Sequence, residues 1–332
     1  MHVSTGRDIC STLAERKHRR TPGRGEASAM KTGHRGLTGV LSALGQRRHY
    51  VAARNMLTVY RHPIDGFRRY LFGRGKYPVR LALNTPEGSS LPLTVYSYDD
   101  ILTVNEVFCR LDYPAVALDE IIVDFGSNIG ISAAYFLTHA PNSFLHLYEP
   151  LPWNIERLRR NLSGFEGRYA IHQCAVGESD GEAQFGWEST GRYGGIGLRT
   201  GNYLSVTCQD SNQILEDIIA RYGRIDILKI DIETLERQVT ERIPVWIARN
   251  IGRVYVECMF PSNPLEPTHT HRRYGNVSQF VNKKFRGWPH LDHTISAVTP
   301  LTLRTSFIAD NDATRKGIED VAGDHVIARS GS

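Results

Sequence analysis

The chain of 332 residues has no apolar run near the roughly 20 residues that a membrane-spanning helix requires. Its N-terminus lacks the apolar core of a secretory leader, so a cytoplasmic protein is expected. Cysteine is sparse. Cys10, Cys109, Cys174, Cys208 and Cys258 are scattered, odd in number and without a CxxC pair. This argues against a zinc ribbon or a disulfide framework and predicts reduced, buried thiols. Positive charge is scarce in the body of the chain. Residues 1–55 hold 11 Lys and Arg against 3 acids, which leaves 29 against 32 in the remainder. A body of net charge −3 does not supply the basic face that RNA binding needs.

What the sequence does contain is the composition of a soluble globular protein, 41% hydrophobic and 23% charged. Residues 1–55 hold few large apolar side chains and are expected to be a disordered basic tail, with Met30 or Met56 as alternative starts. Residues 56–118 form a small lobe. There VRLAL (79–83) and LPLTVYSY (91–98) flank a turn-rich linker and predict a hairpin. Asp99 and Asp100 are the expected N-caps of the helix that follows. Residues 119–310 alternate strands and helices. The strand-like runs are IIVDF (121–125), FLHLYE (144–149), YAIHQCAV (169–176), DILKID (226–231) and RVYVECM (253–259). TISAV (294–298) and TLRTSFIA (302–309) are late candidates, and Pro244 should break the last helix. The alternation predicts an α/β fold, a mostly parallel Rossmann-like sheet with helices on both faces. Segment 181–208 is too long and glycine-rich for a simple connection and reads as an inserted hairpin or lid. Residues 311–332 read as a loose C-terminal tail.

The most informative stretch is IIVDFGSNIGISAAYF (121–136). A buried strand ends at Asp124 and turns through Gly126, Asn128 and Gly130 into a helix. Ligands of open α/β sheets sit at this end of the strands, and glycines let backbone approach them. The dinucleotide pattern GxGxxG is absent, because Asn128 and Ile131 stand where glycines would be needed. A carboxylate at Asp124 would repel a pyrophosphate. It suits S-adenosylmethionine, which carries a sulfonium, an ammonium and a carboxylate. Glu149 ends the next strand 23 positions after Gly126, near the spacing of roughly 20 at which an acid receives ribose hydroxyls.

With these motifs the sequence resembles the FkbM family of S-adenosylmethionine-dependent methyltransferases. The resemblance rests on DDILTVNEVF (99–108), VDFGSNIGISAAYF (123–136), YEPLPWNIERLRRNL (148–162), CAVGESDGEAQF (174–185) and LKIDIETLE (228–236). It implies the class I methyltransferase fold, S-adenosylmethionine as donor and methylation of a hydroxyl oxygen. Asp124, Gly126, Asn128 and Gly130 would line the methionine end, Glu149 would hold the ribose, and the backbone at Ala175 and Val176 would border the adenine. One departure stands out: Thr234 occupies a position where the family usually has glycine.

The candidate acid–base groups cluster after the fourth strand. Lys229 lies in an apolar run and calls for an ion-pair partner, Asp231 or Glu257, or a lowered pKa. Asp231 ends that strand and is the first candidate base, with Lys229 and Glu233 beside it and Glu236 one turn on. Glu106, Tyr113 and Glu257 are candidates for the acceptor side. His269, His271, His290 and His293 have ligand-like spacings but lie in polar sequence, which is expected to be a loop shaping the acceptor pocket; no metal is expected. The leading expectation is O-methylation of a small molecule such as a sugar, glycolipid or polyketide-like product, without nucleic acid partners. An RNA ribose 2′-O-methyltransferase and a non-catalytic binder of the same donor are the alternatives.

Overall fold

The computed structural model describes residues 47–188 and 193–284. Strand candidates 294–298 and 302–309, and His290 and His293, lie outside the described residues. Helix α1 (Arg47–Val59) begins within the segment expected to be tail. It belongs to the core: Ala52, Met56 and Val59 are buried, at the spacing of one helical face. Asn55 donates to the Cys109 carbonyl at 2.7 Å. Composition misled here because, of positions 50–59, only Ala52, Asn55, Met56 and Val59 are buried. Helix α2 (Pro63–Phe72) follows, then the antiparallel hairpin β1 (Val79–Asn84) and β2 (Ser90–Val95).

Helix α3 (Tyr98–Val104) runs into a π-helical turn, Asn105–Cys109. Its N-cap is Ser97 and not Asp99 or Asp100. The Ser97 side chain accepts from the Asp100 N–H, and the Asp100 carboxylate accepts from the Ser97 N–H at 3.0 Å. This reciprocal capping box satisfies two otherwise orphaned donors.

The main unit then alternates: β3 (Ile121–Phe125), α4 (Ile131–His139), β4 (Phe144–Tyr148), α5 (Pro152–Asn161) and β5 (Tyr169–His172). Next come β6 (Ala175–Gly177), β7 (Gly181–Trp187), β8 (Gly194–Ile196), β9 (Tyr203–Asp210) and α6 (Ser211–Tyr222). The described chain closes with β10 (Ile225–Ile230), α7 (Glu236–Glu241), α8 (Val245–Ala248), β11 (Ile251–Val256), β12 (His269–Tyr274) and β13 (Val277–Asn282). Pro244 does separate α7 from α8, as the N-cap of the second.

Among the described residues seven strands form the central sheet, in the order β12-β13-β11-β10-β3-β4-β5. The five from β11 to β5 are parallel; β13 runs antiparallel to β11, and β12, antiparallel to β13, returns to their direction. The fold is therefore the expected α/β architecture, a mostly parallel Rossmann-like sheet with helices on both faces. Strand β3 is fully buried and paired on both sides, which explains its unbroken apolar run. Alternate residues feed two cores. Ile122 joins α4, the hairpin and α1 in one, while Val123 and Phe125 meet α6 and α8 in the other. The N-terminal lobe thus shares a core with the sheet.

Three expectations are corrected. YAIHQCAV is two strands, because the chain leaves the central sheet after His172 and enters a second sheet at Ala175. That second sheet, β6-β9-β7-β8, contains the segment expected to be a lid or hairpin. The HTH segment is strand β12 and not a pocket loop: His269 is buried with Nε2 3.1 Å from the Ile251 carbonyl oxygen, and His271 stacks on Phe280. Cys109, Cys174 and Cys208 are free and buried as expected, whereas Cys258 is disulfide-bonded. Among the described residues no helix is long and apolar enough to cross a membrane.

The placement of α1 is testable. Met56 is 1% exposed, so Met56→Ala should lower unfolding free energy by about 2–5 kcal/mol. Denaturant titration measures this; an unchanged midpoint would contradict the packing of α1 against the core.

Candidate active site

The turn after β3 is built to admit close neighbours. Gly126 has φ +83°, and a Cβ there would sit 1.9 Å from the Asp231 carbonyl oxygen. The approach follows from pairing, since the Asp231 N–H donates to the Phe125 carbonyl at 3.0 Å and carries the β3–β10 ladder past the strand end. Asn128 and Gly130 also have positive φ, +48° and +83°. The Gly126 and Ser127 N–H groups donate to the Tyr148 carbonyl, which fastens the turn to the end of β4.

Glu149 closes the other side of this turn. Its Oε2 accepts from the Asn128 N–H at 3.0 Å. Its Oε1 accepts from the Leu151 N–H at 2.9 Å and from Asn154 Nδ2 at 3.3 Å. Burial pushes its pKa up to about 7, against those three hydrogen bonds and the Lys229 charge. A carboxylate has about four acceptor positions, so capacity remains for a further donor.

Lys229 and Asp124 are register partners on β10 and β3, so their side chains emerge together on the same face. Lys229 Nζ lies 2.9 Å from Asp124 Oδ1, 3.1 Å from the Gly126 carbonyl oxygen and 3.3 Å from Asp231 Oδ2. The second Asp124 oxygen accepts from the Ser132 hydroxyl at 2.6 Å. Asp124 is fully buried and does not line the cleft. It holds the lysine instead of facing a ligand, which corrects the sulfonium role read from the sequence. The lysine's principal partner is therefore Asp124, outside the pair of acids expected, with Asp231 second. Burial works against the ammonium, but the Asp124 and Asp231 charges raise its pKa above the ordinary lysine value. Lys229 consequently stays charged and is not a proton acceptor.

Tyr113 caps this arrangement, with Lys229 Nζ 5.6 Å from its ring centroid. Segment 110–119 is pinned by donors from the far strands. Arg253 Nη1 and the Tyr255 hydroxyl donate to the Pro114 carbonyl at 3.1 and 2.7 Å, and Gln279 Nε2 donates to the Asp112 carbonyl at 2.9 Å. Arg253 also pairs with buried Asp119. Burial and the nearby Asp231 and Glu257 charges push the Tyr113 phenol well above its usual value, so it remains protonated.

A cleft of about 1110 Å³, open mouth included, runs along these strand ends. Gly126, Asn128, Glu149, Ala175, Val176, Lys229, Asp231, Glu233, Glu106, Tyr113 and Glu257 all line it. Asp124 and Gly130 lie behind its wall. Gly130 lies near Leu158, 3.1 Å from where its Cβ would be. Glu236 is buried, and burial with the Glu233 and Asp231 charges lifts its pKa to about 8.

The sequence reading missed the apolar wall. Phe185 and Ile196 of the second sheet, with Tyr193 just before β8, line the cleft, a placement carried by tertiary packing without a local motif. Strand β8 is locked against the loop after β10. Thr234 Oγ1 donates to the Ile196 carbonyl at 2.8 Å, and a Cβ at Gly195 would meet the Glu233 carbonyl oxygen at 2.8 Å. Ser132 and Asn154, both cleft-lining, were also missed. Ser132 lies eight residues after Asp124, across the glycine turn, and only the fold brings the two together.

Residues 124–273 match the family model described as the methyltransferase FkbM domain. Among curated proteins, the AMB antimetabolite synthetase AmbE of Pseudomonas aeruginosa is 29% identical over 196 residues, covering 46% of this chain. The chain spans only 9% of that relative's length. Similar solved structures include a methyltransferase from Geobacter sulfurreducens, at 15% identity over 50% of this chain and 72% of that one, with a TM-score of 0.30. An rRNA methylase from Streptococcus thermophilus is 10% identical over 49% of this chain and 87% of that one, with a TM-score of 0.26. The family match spans the β3 strand end, the glycine turn and the β10 strand end that build the cleft: residues 124–273 resemble a methyltransferase FkbM domain.

Proposed function

We propose that the protein transfers a methyl group from S-adenosylmethionine to a hydroxyl of a small molecule such as a sugar, glycolipid or polyketide-like product. The observation that carries this reading is the meeting of three features in one cleft: the Cβ-free approach at Gly126, the buried carboxylate of Glu149 and the Lys229–Asp231 pair. The residues fit the donor. Gly126 lets the turn pack directly on the Asp231 backbone at the cleft, Glu149 retains acceptor capacity, and Ala175 and Val176 offer an apolar edge.

When bound, S-adenosylmethionine supplies an electrophilic methyl on a sulfonium. The chain's own residues do the rest. Glu149 receives ribose hydroxyls, the backbone of the Gly126–Gly130 turn borders the methionine end, and Ala175 and Val176 border the adenine. Asp231, at the carboxyl end of β10, orients an acceptor hydroxyl and accepts its proton. Lys229 fixes that carboxylate from behind and, being charged, offsets it. Glu233 stands next along the same loop, and Glu106, Tyr113 and Glu257 shape the acceptor side. Alignment of the two reactants supplies much of the acceleration, and a positioned base adds roughly 10²- to 10⁴-fold.

Glu149 gives a pH test. Its folded-state pKa is raised to about 7, and ribose donors favour the ionised form. Affinity for S-adenosylhomocysteine should therefore strengthen as pH rises through about 7 and level off above it. Glu149→Gln should bind more weakly and lose that dependence; calorimetric titration across pH reads both. A pH dependence unchanged in the variant would remove Glu149 from the ribose site.

Asp231→Asn should cut turnover about 10²- to 10⁴-fold while the product affinity stays within a few-fold. Labelled donor with a panel of hydroxylated acceptors supplies the assay. Full activity would end the assignment of Asp231 as base. Lys229→Met should behave differently, costing about 3–5 kcal/mol of stability because Asp124 is left charged in the interior. A fold of unaltered stability would show the pair to be dispensable.

A further inference from the structure

The N-terminal helical pair carries a surface that methyl transfer does not use. Nine large hydrophobic side chains are exposed among the described residues, and five of them, Tyr50, Leu57, Ile64, Leu71 and Phe72, fall within α1 and α2. Ile64 is 85% exposed and Phe72 59%, values that waste burial unless something covers them. Their spacing is regular. Tyr50, Arg54 and Leu57 lie at i, i+4 and i+7 of α1, and Ile64, Arg68, Leu71 and Phe72 lie at i, i+4, i+7 and i+8 of α2. Each helix thus turns a mixed apolar and arginine stripe to solvent while its other face enters the core.

The charge of this region opposes that of the rest of the chain. Residues 50–76 hold 6 Lys and Arg against the single acid Asp65, whereas residues 77–332 hold 24 against 31. Arg54, Arg61, Arg68, Arg74 and Lys76 are exposed. Asp65 is already engaged by Arg68 and Arg69, and the Arg74 guanidinium lies 5.9 Å from the Phe72 ring centroid. Apolar and aromatic side chains interleaved with guanidinium groups are the composition of a helix that lies in a lipid interface. Guanidinium groups pair with lipid phosphates, and the apolar side chains enter the headgroup boundary. Nucleic acid would use the arginines but leave Ile64, Leu71 and Leu57 in water.

We propose that α1 and α2 dock the protein onto an anionic lipid surface. The proposal is independent of the acceptor assignment. It concerns peripheral attachment, with the acidic remainder of the protein turned away from the bilayer.

Co-sedimentation of the full-length protein with phosphatidylglycerol-rich vesicles and with pure phosphatidylcholine vesicles tests it. Residues 1–46 are themselves basic, so the variants decide. Removing one basic contact should weaken binding about five-fold, and the double reversal Arg68→Glu with Arg74→Glu should weaken it more than ten-fold. Ile64→Glu with Phe72→Glu should do the same, and both doubles should keep the wild-type thermal midpoint because all four side chains are exposed. Binding should fall steeply with added salt. Absence of binding to the anionic vesicles, or equal binding by wild type and both variants, overturns the proposal. So does a wild-type dimer that Ile64→Glu with Phe72→Glu dissociates, or RNA binding lost in the arginine variant while vesicle binding persists.

Discussion

The structure turns on a lysine ammonium buried between two carboxylates. Lys229 sits near the carboxyl end of the buried strand β10, and moving such a charge out of water costs several kcal/mol. Asp124 on the adjacent strand, Asp231 at the end of its own strand and the Gly126 carbonyl offset that cost together. The Ser132 hydroxyl then occupies the remaining Asp124 oxygen, so the network extends into the first turns of α4. In one cluster it fixes the ends of β3 and β10, the glycine turn between them and the orientation of Asp231. The cleft floor is rigid because each of these groups would otherwise be a buried charge or polar atom without compensation.

Much of this was legible in the chain. IIVDF, FLHLYE, DILKID and RVYVECM read as strands because both faces of a parallel sheet are covered and few polar residues interrupt the run. The glycine turn was expected to let backbone approach a ligand; at Gly126 the group in close approach is the Asp231 carbonyl. Glu149 was found by its spacing, and it does meet the turn, through the Asn128 N–H. The role of Asp124 was misjudged. An acid near the end of one strand and a lysine near the end of another, 105 residues later, have no local signal that joins them; only the β3–β10 register does.

Other features were hidden for related reasons. The break of YAIHQCAV between two sheets depends on where β9 arrives to pair with Ala175. Strand β12 looks polar because it is an edge strand with one face in water, and His269 inside it is held by the Ile251 carbonyl. The loop after β10 is also tertiary in origin. Glu233 and Thr234 adopt φ of +52° and +77°, a conformation that costs a side-chain-bearing residue about 1–3 kcal/mol. Glycine would avoid that cost at 234, but threonine adds a hydroxyl that anchors β8, and with it the apolar cover of the cleft.

The central claim is that this cleft holds the methyl donor with its ribose on Glu149. A crystal structure of the protein with S-adenosylhomocysteine tests it most directly. The account predicts the ligand along the ends of β3, β4 and β10, its ribose hydroxyls on the Glu149 carboxylate and its adenine against Ala175 and Val176. A ligand bound elsewhere, or one whose ribose makes no contact with Glu149, would contradict it.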